Sequence, residues 1–168
     1  MRRLAVLVAL ALLAPAGLAS IVINFDDLVG QAQVPDGYGG VNNWGGWEYY
    51  DWSQPPYNPH SPPCRVYNYT DGIFTFGYDV LFEGAWFAGY DSVYFQLYND
   101  GSLVHTSSSV VLGGDGVPKW LASGYNGMID QVKVVGSLGF FVMDDVQYVP
   151  EPATVGLLAV AALALRRR

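Results

Sequence analysis

The sequence predicts an all-β fold: a single jelly-roll-like β-sandwich with a long aromatic loop, flanked by an N-terminal signal helix and a short C-terminal transmembrane helix. Three observations carry this expectation. Between residues 21 and 148 the apolar residues fall in short runs rich in β-branched and aromatic side chains. Those runs are bounded by Gly, Asp, Asn and Pro. No window between the ends has a helical period, and short strands at regular spacing suggest two packed sheets.

The first element is MRRLAVLVALALLAPAGLAS. Arg2 and Arg3 form a positive start, Leu4 to Ala14 an apolar run, and Gly17-Leu18-Ala19 a small-residue cleavage site. This is the pattern of a secretory signal over residues 1–19, removed by signal peptidase. The domain is then expected over residues 20–148. Its strands are read at IVINFDD (21–27), GIFTFGYDVLF (72–82), SVYFQLY (92–98), LVHTSSSVVL (103–112), MIDQVKVV (128–135) and GFFVMDDVQY (139–148). In YNDGSL (98–103), Asp100-Gly101 supplies the positive φ angles of a tight hairpin turn.

From Leu28 to Arg65 the rhythm breaks, and a long loop is expected, of a kind that often serves function. It carries Tyr38, Trp44, Trp47, Trp52 and Tyr57 among its aromatics. Such rings can stack on the C–H faces of sugars, with neighbouring polar groups taking the hydroxyls. The alternative is that they form the loop's own packing against the sandwich.

Hydrophobic residues make up 51 % of the chain and aromatics 15 %, enough for a core, whereas charged residues are only 14 %. Five of the eight basic residues lie at the ends. Between Ile21 and Pro150, fourteen acids face only Arg65, Lys119 and Lys133, a net charge of −11. That balance excludes nucleic acid and anionic membrane surfaces as partners and admits divalent cations and neutral glycans. Cys64 is the single cysteine, so no intrachain disulfide is possible.

Motifs for catalysis are absent. His60 and Cys64 lack a second ligand pair for zinc. His105 has no serine elbow beside it. The GGDG of 113–116 has no following Lys-Ser. Paired carboxylates suited to glycoside hydrolysis cannot be singled out among fourteen acids. The chain is therefore expected to be no enzyme, with an exported glycan hydrolase as the minor alternative. In the last strand, alternation puts Phe140, Val142, Asp144, Val146 and Tyr148 on one face. If that face is the core, Asp144 is a carboxylate that needs a partner, and a hard cation with oxygen ligands is a candidate.

The last twenty residues, 149–168, are VPEPATVGLLAVAALALRRR. Val155 to Leu165 would span roughly 16 Å as a helix, about half of a bilayer core. That length suits a transient inner-membrane stop, with Arg166, Arg167 and Arg168 on the cytoplasmic side. Motif, apolar run and arginine cluster together resemble the PEP-CTERM sorting signal. The resemblance implies that Pro150, Glu151 and Pro152 are read by an exosortase. It also implies that the mature protein reaches the surface or extracellular matrix of a Gram-negative bacterium.

INFDDL, VPDGYGGVNNW, GAWFAGYDSVYFQLYN and FFVMDDVQY are together similar to a secreted domain found upstream of such tails. The closing strand is also similar to that of jelly-roll carbohydrate-binding modules. This second resemblance implies a structural calcium ion held by acids of the first and last strands, here Asp26, Asp27, Asp144 and Asp145. The expected function is thus a non-enzymatic surface or matrix protein that binds exopolysaccharide. A structural matrix component without a ligand is the alternative.

Overall fold

The computed structural model describes residues 19–137 and 139–151. The signal helix, the tail helix, Pro152 and Arg166 to Arg168 lie outside the described residues. Ser20–Glu151 forms one compact unit. Among the described residues no helix is long and apolar enough to cross a membrane.

The unit is all-β. Its strands in chain order are β1 (Ile21–Ile23), β2 (Gln31–Gln33), β3 (Val41–Asn43), β4 (Glu48–Tyr50), β5 (Arg65–Tyr67) and β6 (Ile73–Gly89), followed by β7 (Ser92–Asn99), β8 (Ser102–Thr106), β9 (Val110–Val111), β10 (Lys119–Ala122), β11 (Ile129–Val135) and β12 (Phe141–Pro150). The hydrogen-bonded path runs β2-β4-β5-β12-β6-β11-β7-β8. β1 joins β12, β3 and β10 join β6, and β9 joins β7.

The path is continuous because β6 is seventeen residues long and changes partners along its length. Its first arm lies between β3 and β11, with Val41 opposite Phe76 and Val132 opposite Phe74. Its second arm lies between β10 and β12, with Trp120 opposite Trp86 and Val142 opposite Ala88. Phe74 and Phe82 nevertheless meet edge to face at 6.2 Å between ring centroids. Eight residues of straight strand would hold them roughly 26 Å apart. β6 therefore bends, and the sheet closes over itself in the way that corner strands link packed layers. The expectation of two packed sheets is corrected to this extent: the layers share one strand.

The core lies inside that fold and is mostly aromatic. Phe82 and Phe87 pack on Phe95, Phe87 on Phe141, and Trp47 on both Phe74 and Phe141. The 99–102 turn forms as the sequence implies, with Asp100 at φ 49° and Gly101 at φ 73° between Asn99 and its partner Ser102.

Two expectations need correction. The segment from Leu28 to Arg65 is not structureless, since β2, β3 and β4 lie within it and β5 begins at its end. Three-residue strands are too short to show a period. The face of β12 also changes part-way. Phe141, Met143, Val146 and Tyr148 enter the main core, while Val142 belongs to a second cluster with Tyr50, Tyr67 and Ala88. A bulge at Asp145, with φ 45°, inserts the residue that shifts the phase. Phe140 is left exposed, and Asp144 stands on the Val142 side rather than in the main core.

Candidate functional site

The second cluster marks the outer face of the β4-β5-β12-β6 layer. Tyr50, Tyr67, Val142 and Ala88 stand on it, and Tyr57 packs over them. Residues 51–64, DWSQPPYNPHSPPC, cross this face as a strap. Arg65 holds both ends of the strap. Its Nη2 donates to the carbonyl of Trp52 and its Nη1 to that of Pro63 at 3.2 Å. The guanidinium lies 3.9 Å from the Tyr50 ring centroid. It is fully buried.

The middle of the strap is fastened by acids. Ser61 N–H donates to Asp144 Oδ2 at 2.8 Å, and Ser61 Oγ donates to Asp145 Oδ1 at 2.9 Å. Asp145 N–H donates to Asp144 Oδ1 at 2.8 Å. His60 Nδ1 meets Asp145 Oδ2, and its ring stacks on Trp86 at 3.7 Å between centroids. Asn58 Nδ2 donates to Gly116 O at 2.8 Å.

Under the first half of the strap lies a cleft of about 230 Å³. Tyr50, Tyr67, Phe141 and Val142 line it from the sheet, Trp52, Gln54 and Tyr57 from the strap, with Gln31, Tyr69 and Gly139 completing the wall. The rings support one another: Tyr50–Trp52 at 5.0 Å, Tyr50–Tyr67 at 5.5 Å and Tyr67–Tyr69 at 5.2 Å. Trp52 is 46 % exposed and Tyr69 69 % exposed, so both present ring surface to solvent. Gln31 Nε2 donates to the Tyr67 hydroxyl at 2.7 Å, and that hydroxyl donates to Glu48. Burial, and then Glu48, push the Tyr67 hydroxyl up to about 12, so it stays protonated and keeps donating. Burial also raises Tyr50 and Tyr57.

The five aromatics expected on a glycan platform divide sharply. Trp52 and Tyr57 line the cleft. Trp44 and Trp47 are 1 % and 0 % exposed and belong to the main core, where no sugar can reach them. Tyr38 stacks on Phe25 at 5.7 Å and gives its hydroxyl to Asp27. Trp44 and Trp47 are thus packing residues, whereas Tyr38 is half-buried against the core and lies outside the cleft. Tyr50 belongs to the aromatic stretch already read in the loop, whereas Tyr67 and Tyr69 were missed, because they fall between that loop and the strand expected at 72–82. Tyr67 and Tyr69 are spaced i and i+2, which would have put them on one face of a strand.

Asp26, Asp27, Asp144 and Asp145, the four acids expected to hold calcium, each accept hydrogen bonds from protein groups. The partners are Tyr38 on Asp27 Oδ1, Cys64 N–H on Asp26 Oδ1 at 3.5 Å, and Ser61, His60 and the Asp145 N–H on Asp144 and Asp145. Among the described residues no group of three or more His, Cys, Asp and Glu is disposed to hold a metal ion. The Ser61 and Asp145 N–H groups supply hydrogen bonds to the buried Asp144.

Burial nevertheless pushes Asp144 up to about 8, the Ser61 N–H opposing and Asp145 adding to the rise. The folded state thus holds this proton more tightly than the unfolded chain, whose aspartates titrate near 4. The resulting stabilisation is complete below about pH 4 and lost as pH rises through about 8. Denaturant midpoints should therefore rise as pH falls from 8 to 5, and Asp144→Asn should flatten that slope. An unchanged slope in the variant would assign the effect elsewhere.

No family model matches the sequence, and no curated protein matches it. Among solved structures, the chain is similar to a mutant of a family 29 carbohydrate-binding module, at 12 % identity and a TM-score of 0.42, over 78 % of this chain and 91 % of that one.

Proposed function

We propose that this is an exported, non-enzymatic protein whose outer aromatic cleft binds a neutral exopolysaccharide. The observation that carries the reading is the cleft's composition. Trp52 and Tyr69 offer exposed ring faces over a floor of Tyr50 and Tyr67, with the amides of Gln31 and Gln54 at the wall. Amphipathic rings with a few oriented polar groups match a ligand that alternates C–H faces with hydroxyls. None of the ten lining residues is acidic, which disfavours the pair of carboxylates that glycoside hydrolysis requires. The net charge of −11 disfavours anionic ligands.

Export and sorting belong to the same proposal and are supported by the two ends of the sequence. Signal peptidase and an exosortase are the processing partners, membrane insertion is transient, and the destination is the cell surface or matrix. The test is retention of the full chain on gels containing neutral polysaccharides. Trp52→Ala/Tyr69→Ala should weaken retention about tenfold or more at an unchanged melting temperature. Equal retention by wild type and variant would remove the cleft and favour a structural matrix component without a ligand.

A further inference from the structure

The aromatic surface does not stop at Tyr57. The Tyr57 ring meets Tyr90 edge to face at 5.8 Å, and beyond Tyr90 lies a second depression of about 240 Å³, lined by Tyr90, Asp91, Ser137 and Phe140. Tyr90 is 57 % and Phe140 55 % exposed. The two depressions share one turn. Phe140 N–H donates to Ser137 O at 3.0 Å across Gly139, which has φ 80°. Gly139 faces the first depression, while Ser137 and Phe140 face the second. Tyr90 N–H donates to Phe140 O at 3.0 Å and fixes both rings to the same stretch of backbone.

The second depression also has a polar contact point. Asp91 accepts from Ser92 N–H at 2.7 Å and from Ser137 N–H at 3.0 Å. The Ser137 side chain first, and then these two backbone bonds, hold its carboxyl below the usual range. Asp91 Oδ1, which accepts the Ser92 N–H, retains a lone pair for a ligand hydroxyl. Each depression is smaller than the pockets that enclose a drug-sized molecule. Such a size suits one sugar ring, so a polymer would be held unit by unit.

We propose that the Tyr90–Asp91–Ser137–Phe140 depression is a second subsite for the same linear neutral glycan, so that the surface holds at least two adjacent sugar units. This rests on the reading of the first cleft given above. The test is a length series on the full chain: glucose, then α-1,4 and β-1,4 glucans of two and six units, each titrated by calorimetry. Wild type should bind a six-unit chain at least about tenfold more tightly than glucose. Tyr90→Ala/Phe140→Ala should lose that gain, whereas Trp52→Ala should weaken glucose and the six-unit chain alike. Should the double variant melt lower, Phe140→Ala alone carries the test, because its ring is over half exposed.

Affinity independent of length, or a six-unit affinity untouched by removal of Phe140, would overturn the second subsite and leave the first cleft standing. Absence of binding across the series, or full binding by Trp52→Ala, would overturn both.

Discussion

Trp47→Ala should lower stability by about 3–5 kcal/mol, the largest effect expected of any single truncation here. The ring is fully buried and packs on Phe74 at 6.5 Å and Phe141 at 6.4 Å, tying the two arms of the folded sheet together. A loss of that size is a third or more of the stability of many domains. It should appear as a fall in melting temperature of about 10 °C or more. The contrast with Trp52→Ala makes the prediction sharp. Trp52 holds its place through its backbone carbonyl, which Arg65 grips, and an alanine retains that carbonyl. Its variant should melt within a few degrees of wild type.

Trp47→Phe separates shape from hydrogen bonding. Trp47 Nε1 has no partner among the described residues, whereas Trp44 Nε1 donates to Tyr38 O at 3.1 Å. Phe at 47 should therefore cost less than Phe at 44. Thermal melts with the order reversed would contradict the packing described.

The second large effect is expected at Gly84. Here β6 has φ 149°, and a Cβ would stand 2.2 Å from Leu121 O and 2.7 Å from Trp120 Cζ2. One obstacle is backbone, so the clash cannot be relieved by a rotamer change alone. Gly84→Ala should cost about 3 kcal/mol or more, from the backbone conformation and the forced separation of β10 from β6. Amide exchange should then quicken first in Lys119–Ala122. Protection that holds in β10 while the whole domain weakens uniformly would show that the strain is spread rather than local.

Much of this fold was legible in the chain. Asp100-Gly101 fixed a hairpin because its φ demand is local. The runs read at 72–82, 92–98 and 139–148 announced strands because β-branched and aromatic residues crowd there, although the first of them continues to Gly89. Two things were hidden. One was the phase of β12, which the Asp145 bulge resets, since a single inserted residue leaves no mark on composition. The other was the division of the loop tryptophans. Trp44, Trp47 and Trp52 look alike in sequence, and only the partners brought in from β6 and β12 decide that two are core and one is surface. Arg65 was hidden for the same reason: its two carbonyl partners are set by the path of the strap and not by any spacing.

The placement of β12 has a mechanical consequence. It is flanked by β6 along one edge and by β5 and then β1 along the other. Pro150 remains in register opposite Val80, and Glu151 N–H still reaches Asp79 O at 3.2 Å. A pull on the chain at Glu151 along the strand axis would load the perpendicular hydrogen bonds of both edges together, in shear. A pull on Ile21 would instead peel a three-residue strand, one bond after another. Along the strand axis, the chain at Glu151 is thus held by more hydrogen-bonded backbone than the chain at Ile21.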